Sequence, residues 1–283
     1  MKVHVVLVHW NQPERLAATV AAFRASEGVD VAITVVDNGS DPDRRPVPDG
    51  FELVEAGDNR GFGPGANVGF ERFLADPSAG EYVALAPHDA LPAPDALARI
   101  VAELDAHPDA GLACADYGDG ATPVVDPYFG GIPAPATVTE GWEPAGYPHG
   151  TLLVARRACL VDIGLFDERY FSYCEEADLG VRAHRAGWDV GLVRGAMVEN
   201  PNVHGALGAV SYLHLRNTLL LVRETSGCYH AFIRFNMAAG QIALGAAVPR
   251  FRDPYWHPEG KLRGMLDFAR GRFGPPPADL LAG

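Results

Sequence analysis

The chain of 283 residues is 48% hydrophobic, enough for a substantial core, and carries a formal net charge of −13. That charge excludes nonspecific binding to nucleic acid or to an anionic surface, though not an anionic ligand held by a metal ion or local arginines. No apolar run reaches the roughly 18 residues of a membrane-spanning helix.

Val3–Val8 is a continuous apolar run, as expected of a strand buried on both faces, and is too short for a signal-peptide core. Asn11, Pro13 and Glu14 predict a helix start with Asn11 as cap; Leu16, Val20 and Phe23 follow at helical spacing. Val31–Val36 is a second strand, ending at Asp37-Asn38-Gly39-Ser40. A short strand near Phe51–Val54 leads to the glycine-rich Asn59–Gly69, then a helix over Ala66–Leu74. The strand Tyr82–Ala86 stops at Pro87-His88-Asp89, and a helix over Asp95–Ala106 precedes a strand at Gly111–Ala115.

Residues 116–148 show little periodicity and are expected to form an insertion or loop over a site. After a strand at Thr151–Ala155 comes Gly164–Trp188, with five carboxylates (Asp167, Glu168, Glu175, Glu176, Asp178) ahead of a helix that stops at Gly187. Locally this reads equally as a surface helix whose acidic first turn complements the macrodipole. Trp188–Val193 is a further strand and Ser211–Glu224 a helix. The tail, Cys228–Arg272, is helical and arginine-bearing, and Gly274-Pro275-Pro276-Pro277 is expected to end ordered structure. Cys114, Cys159, Cys174 and Cys228 have no C-x-x-C spacing, so free thiols in a reducing cytoplasm are expected.

The β-α alternation predicts a mostly parallel central sheet flanked by helices, an α/β fold. Ligands in such sheets bind beyond the carboxyl ends of the strands. His9-Trp10-Asn11, Asp37-Asn38 and His88-Asp89 all fall at those ends and should converge on one rim.

Taken in order, VHWNQPERL, VVDNGS, NRGFGPGANVGF, the acidic strand end, GLFDERYFSYCEEADLGVRAHRAGW, and then a histidine and an Arg-Asn pair resemble the family 2 glycosyltransferases of the GT-A fold. The likeness is greatest to their rhamnosyltransferase-like branch and covers roughly residues 3–225. It implies a GT-A domain over 1–225, nucleotide-binding to about 115 and acceptor-binding from about 116 to 225, with a helical C-terminal extension over 226–283.

In this resemblance Asp37 accepts the imide N–H of a pyrimidine base, flanked by Val8, His9 and Trp10. Asn59, Arg60, Gly61, Asn67 and His88 approach the rest of the nucleotide. His88-Asp89 occupies the place of the family's metal motif, with Pro87 where its first acid commonly stands; Asp89 and His204 are the implied ligands of Mg2+ or Mn2+. Glu176 aligns with the catalytic base and Glu175 is the alternate; an ionised acid is expected there, stabilised by the helix N-terminus. His149-Gly150 is placed beside the acceptor, and Asp178 and Arg182 form an i,i+4 pair that fixes the helix.

The implied activity is inverting, metal-dependent transfer of a sugar from a UDP- or dTDP-sugar to a hydroxyl of a glycan, lipid-linked or small natural-product acceptor. Rhamnose from dTDP-rhamnose is the donor that the branch suggests, and galactofuranose or hexose transfer fits the same motifs. The readings set against it are a non-catalytic sugar-nucleotide or glycan-binding relative and a sugar nucleotidyltransferase. The latter calls for a basic glycine-rich N-terminal loop, where residues 9–16 offer only Arg15. The expected location is cytoplasmic, at most peripheral at the inner face of the membrane, and oligomeric state is left open.

Overall fold

The computed structural model describes residues 1–200 and 206–281. Its central sheet begins with β1 (Lys2–His9), β2 (Asp30–Asp37), β3 (Glu52–Glu55) and β4 (Tyr82–Pro87), parallel and in the order β3-β2-β1-β4. Side chains of β1 alternate between two cores, which is why its sequence is apolar throughout. Val3, Val5 and Leu7 pack with Leu16, Val20 and Phe23 of α1 (Pro13–Arg24) and with α3 (Ala96–Ala106); Val6 and Val8 pack with Phe70 and Phe73 of α2 (Phe62–Ala75).

The sheet continues through β10 (Leu153–Arg156), antiparallel between β4 and β6 (Ala110–Asp116). β11 (Asp189–Glu199) runs parallel to β6 and is flanked antiparallel by β5 (Leu91–Pro92) and β9 (Gly141–Pro144). The sheet is therefore mixed, with six of its nine strands in one direction. In the register, His9 lies opposite Asp37 and Val8 opposite both Val36 and Pro87, so the predicted rim forms.

Several local expectations need correction. Asn11 does not cap α1; Gln12 occupies the cap without a side-chain bond. Asn11 takes φ 55° and exchanges hydrogen bonds with Asp41, pinning the β1–α1 turn to the loop after β2. α2 starts at Phe62, four residues earlier than expected, because packing of its first turns outweighs the low helix propensity of Gly63 and Gly65.

Residues 116–148 are not a plain loop: they form the hairpin β7 (Ala121–Asp126) and β8 (Gly130–Pro135), and then β9. Buried Arg194 of β11 ties this region down, donating to Asp116 at 3.1 Å, Glu143 at 2.5 Å, Thr122 at 2.7 Å and the Ala121 carbonyl at 2.9 Å.

α4 (Arg157–Ile163) and α5 (Glu175–Ala186) follow β10, and Gly187 ends α5 in the left-handed conformation. The C-terminal part is α6 (Leu207–Ser226), α7 (Cys228–Ala247) and α8 (Pro258–Ala269), joined through Leu215, Leu219, Ala238, Ile242 and Met265. Order extends past the prolines: Ala278–Leu280 is a 3-10 turn, and Leu280 is buried against Phe171, Tyr212 and Leu213. Among the described residues no helix is long and apolar enough to cross a membrane.

Candidate active site

Two clefts open at the carboxyl rim. The first, about 250 Å³, is lined on one side by Val8, Trp10, Asn38, Asn59, Gly61, Pro87 and His88, and on the other by Phe171, Ser172, Tyr173 and the start of α6. Asn38 rather than Asp37 lines this cleft; Asp37 is buried beneath and accepts from the Ser40 N–H at 3.2 Å. The sequence motifs give Asn38 no role of its own. It donates to the Gly61 carbonyl at 2.9 Å and accepts from the Arg60 N–H at 3.1 Å, locking the turn after β2 to the glycine-rich segment.

Gly61 has φ 94°, and a Cβ there would overlap the Phe171 carbonyl oxygen, so only glycine allows this approach. The exposed Arg60 side chain turns back, its Nε donating to the Ala56 carbonyl at 3.1 Å. Asn67 does not line the cleft. Its amide donates to the Phe166 carbonyl at 2.9 Å and accepts from the Phe166 N–H at 3.0 Å, docking the acidic segment onto α2.

At the end of β4, His88 meets fully buried His9 edge-on, with ring centroids 5.5 Å apart. Burial, and then His9, push the His88 imidazole down to about 4, and burial also lowers His9. Asp89 is largely buried and its carboxyl is raised by desolvation; its nearest cationic partner is Arg15, at 3.9 Å, and Asn200 adds a hydrogen bond. Among the described residues no three His, Cys, Asp or Glu side chains form a metal-sized cluster, and His204 lies outside the described residues.

The second cleft, about 350 Å³, is lined by Glu176 together with Tyr117, Tyr147, His149, Gly150, Tyr173 and His214. Phe62, Pro87 and Tyr173 line both clefts, so the two adjoin. The Gly150 N–H bonds the Glu176 carboxylate, and a Cβ on Gly150 would overlap Glu176 Oε1. Burial raises the Glu176 carboxyl to about 7. The expected ready ionisation at the helix N-terminus is thus overridden by desolvation.

Glu175, the alternate base, is 1% exposed and packs against Gly63 of α2, and its Oε2 has no partner. Burial, and then the neighbouring Glu176, hold its carboxyl well above the usual range. That placement suits a buried neutral acid rather than a base that meets a ligand.

His149 stacks on Tyr117 at 4.0 Å, its Nε2 is 2.7 Å from the Ala115 carbonyl oxygen, and burial lowers it to about 4. Tyr117 and Thr151 share a hydrogen bond. Sequence reasoning misses Tyr117, Tyr147 and His214, because single aromatics in aperiodic or helical segments carry no local signal of a cleft. Asp178 pairs with Arg182 at 2.8 Å as expected.

The family model for glycosyl transferase family 2 matches residues 4–157. An N-acetylglucosaminyl-diphospho-decaprenol L-rhamnosyltransferase of Mycobacterium tuberculosis is 35% identical over 106 residues, 36% of this chain and 34% of that protein. The matched segment is thus about a third of that relative's length. Among solved structures, mannosyltransferase PcManGT from Pyrobaculum calidifontis, in complex with GDP-Man and Mn2+, is similar with TM-score 0.57 at 18% identity, covering 95% of this chain and 86% of that one. GalNAc-T7 with UDP, GalNAc and Mn2+ gives TM-score 0.63 at 13% identity, covering 95% and 54%. S. aureus TarS in complex with UDP-GlcNAc gives 0.53 at 16%, covering 87% and 73%. These likenesses show the GT-A fold.

Proposed function

This chain belongs to glycosyl transferase family 2, and on that premise we propose that it moves a sugar, with inversion, from a UDP- or dTDP-sugar to an acceptor hydroxyl. The observation that carries this reading is the pair of adjoining clefts meeting at Phe62, Pro87 and Tyr173, with Glu176 in the second. The nucleotide occupies the first cleft, its base near Val8, His9, Trp10 and Asp37, and its ribose and diphosphate near Asn59, Arg60, Gly61 and His88. The acceptor occupies the second, beside His149 and Gly150.

Glu176 takes the proton of the acceptor hydroxyl as that oxygen attacks the anomeric carbon. The bond to the diphosphate breaks on the opposite face, the nucleoside diphosphate leaves with its electron pair, and the proton remains on Glu176. A carboxyl near 7 is well matched to this duty, since proton affinity and ionised fraction are both substantial.

Asp89 is the proposed ligand for Mg2+ or Mn2+, together with His204. Arg15, at 3.9 Å, is the cation nearest the Asp89 carboxylate, and with the Asn200 hydrogen bond beside it desolvation still raises the carboxyl, which fits a site that gains from a divalent cation. A bound divalent ion would neutralise charge on the departing diphosphate. Mn2+ in the two similar complexes supports this reading.

The rhamnosyltransferase relative supports rhamnose as the transferred sugar and a lipid-linked acceptor, ahead of a free glycan or small natural product. With such an acceptor the enzyme works in the cytoplasm at the membrane's inner face, and Tyr229 and Phe232 of α7, 69% and 67% exposed, suit peripheral contact. Residues 1–115 are assigned to the donor, 116–225 to the acceptor, and 226–283 to a helical extension.

The test is a thermal-shift screen of nucleotide sugars with and without Mn2+, followed by transfer assays. The expected result is stabilisation by UDP- or dTDP-sugars that grows with Mn2+; preference for purine donors, or no metal effect with any donor, contradicts it. Pro87 in place of an acid favours a second reading, a non-catalytic binder. Donor binding without transfer across a broad acceptor panel supports that reading, and turnover lost in both Asp89→Ala and Glu176→Gln excludes it.

A further inference from the structure

Arg216 and Asn217 take no part in the chemistry above, yet both are fully buried in α6. The Asn217 amide nitrogen lies 2.7 Å from the Tyr170 carbonyl oxygen, 2.7 Å from that of Ser172 and 2.9 Å from that of Tyr173. Arg216 donates to the same Tyr170 carbonyl at 3.2 Å, and its Nε donates to Asn217 Oδ1 at 3.0 Å, which orients the amide. Its remaining reach is to the Tyr212 hydroxyl at 3.2 Å, which in turn donates to Asp267 of α8 at 2.9 Å.

The backbone held this way is unusual. Phe171, Tyr173 and Cys174 all take left-handed φ, at 65°, 71° and 74°. Residues with a Cβ resist that region, so a run of them persists only where surroundings over-determine it. The carbonyls of such a turn have no regular ladder partner, and buried carbonyls require one. Cys174 is the residue from which α5 starts, and Glu176 follows in its first turn. Any relaxation of the turn therefore moves Glu176 relative to Gly150 and the first cleft.

We propose that Asn217, oriented by Arg216, is a positioning residue that holds the Tyr170–Cys174 turn in its left-handed form and so fixes the Glu176 carboxylate in the second cleft, against Gly150. This rests on the reading of Glu176 as base. It also links the C-terminal helices to the chemistry, through Tyr212 and Asp267.

The test is Asn217→Ala, read by kcat, donor affinity in the absence of acceptor, and the titration of Glu176 followed by infrared difference against Glu176→Gln. The expected result is a fall in kcat of about 100-fold, as for a displaced reacting group, with donor affinity nearly unchanged. The Glu176 titration should shift downward as the loosened turn admits water. Should Asn217→Ala not accumulate folded, Asn217→Ala with Cys174→Gly is read instead, because glycine accepts the left-handed φ without its cost.

Unchanged kcat together with an unmoved Glu176 titration overturns the proposal. So does a parallel loss of donor affinity and kcat with that titration unmoved, the mark of a merely structural residue. If Glu176→Gln keeps full activity while Asn217→Ala still moves the titration, the base assignment fails and the positioning stands.

Discussion

Glu176 and Gly150 form a unit that neither residue type announces alone. The acids around position 176 mark a candidate site in the sequence, but they do not reveal which carboxylate reaches a cleft. Chain folding decides that: Glu175 is tucked against Gly63, while Glu176 faces Tyr147, His149 and Gly150. The shift of its carboxyl to about 7 is likewise invisible beforehand, because the burial that causes it comes from segments far apart in sequence. Gly150→Ala is the residue-scale prediction. A methyl group that overlaps Glu176 Oε1 must push the carboxylate aside, at a cost of about 100-fold in kcat with the fold retained. Steady-state kinetics and a thermal melt check it; a Gly150→Ala enzyme with undiminished kcat contradicts it. Asn67 shows the opposite lesson: a polar residue in a glycine-rich segment suggests a ligand role, whereas its amide bonds the Phe166 backbone and Glu168.

Among the elements, β1, β2 and β4 were readable because burial on both faces leaves an unbroken apolar run. The hairpin β7–β8 was not. Pro123, Pro133 and Pro135 interrupt any β pattern and are tolerated only because the hairpin stands apart from the central sheet. It is tethered by Arg194, 70 positions from Val124 in a different strand, which donates to Thr122 and the Ala121 carbonyl while pairing with Asp116 and Glu143, and no local rule reports such a tether. Arg194→Met is therefore expected to destabilise the protein by about 3–5 kcal/mol, since Asp116 and Glu143 are left buried without their cation. Denaturant unfolding measures this. A change below about 1 kcal/mol would mean the pair is effectively solvated. Because Tyr117 and Gly131 line the second cleft, the proposed acceptor site, on either side of β7, the same variant should also weaken acceptor binding more than donor binding.

At the scale of the whole molecule, the fold brings two halves to one rim. Parallel strands β1, β2 and β4 deliver Val8, Asp37 and His88-Asp89, while the segment leading into β10, the first turn of α5 and α6 deliver Gly150, Glu176 and His214. The meeting of the β1, β2 and β4 ends was foreseeable from strand order and the carboxyl-end rule, but the arrival of His214 beside them was not. The adjacency of two clefts was not, because Phe62 and Tyr173, distant in sequence, come to line both only through the docking of Gly61 against Phe171 and of the Phe62 N–H onto the Ser172 hydroxyl. α6 is central to this arrangement: it lines both clefts and carries the Arg216-Asn217 clamp.

Glu176 is proposed to act as an ionised base, and the pH dependence of kcat at saturating donor and acceptor tests this most directly. Burial raises its carboxyl to about 7, so the protonated, inactive form accumulates as pH falls through that value. The prediction is a wild-type rate that drops about tenfold per pH unit below the limb, and a Glu176→Gln variant slower by about 10²–10⁴-fold in which that limb is absent. A Glu176→Gln enzyme with near wild-type kcat and the same acid limb would contradict it.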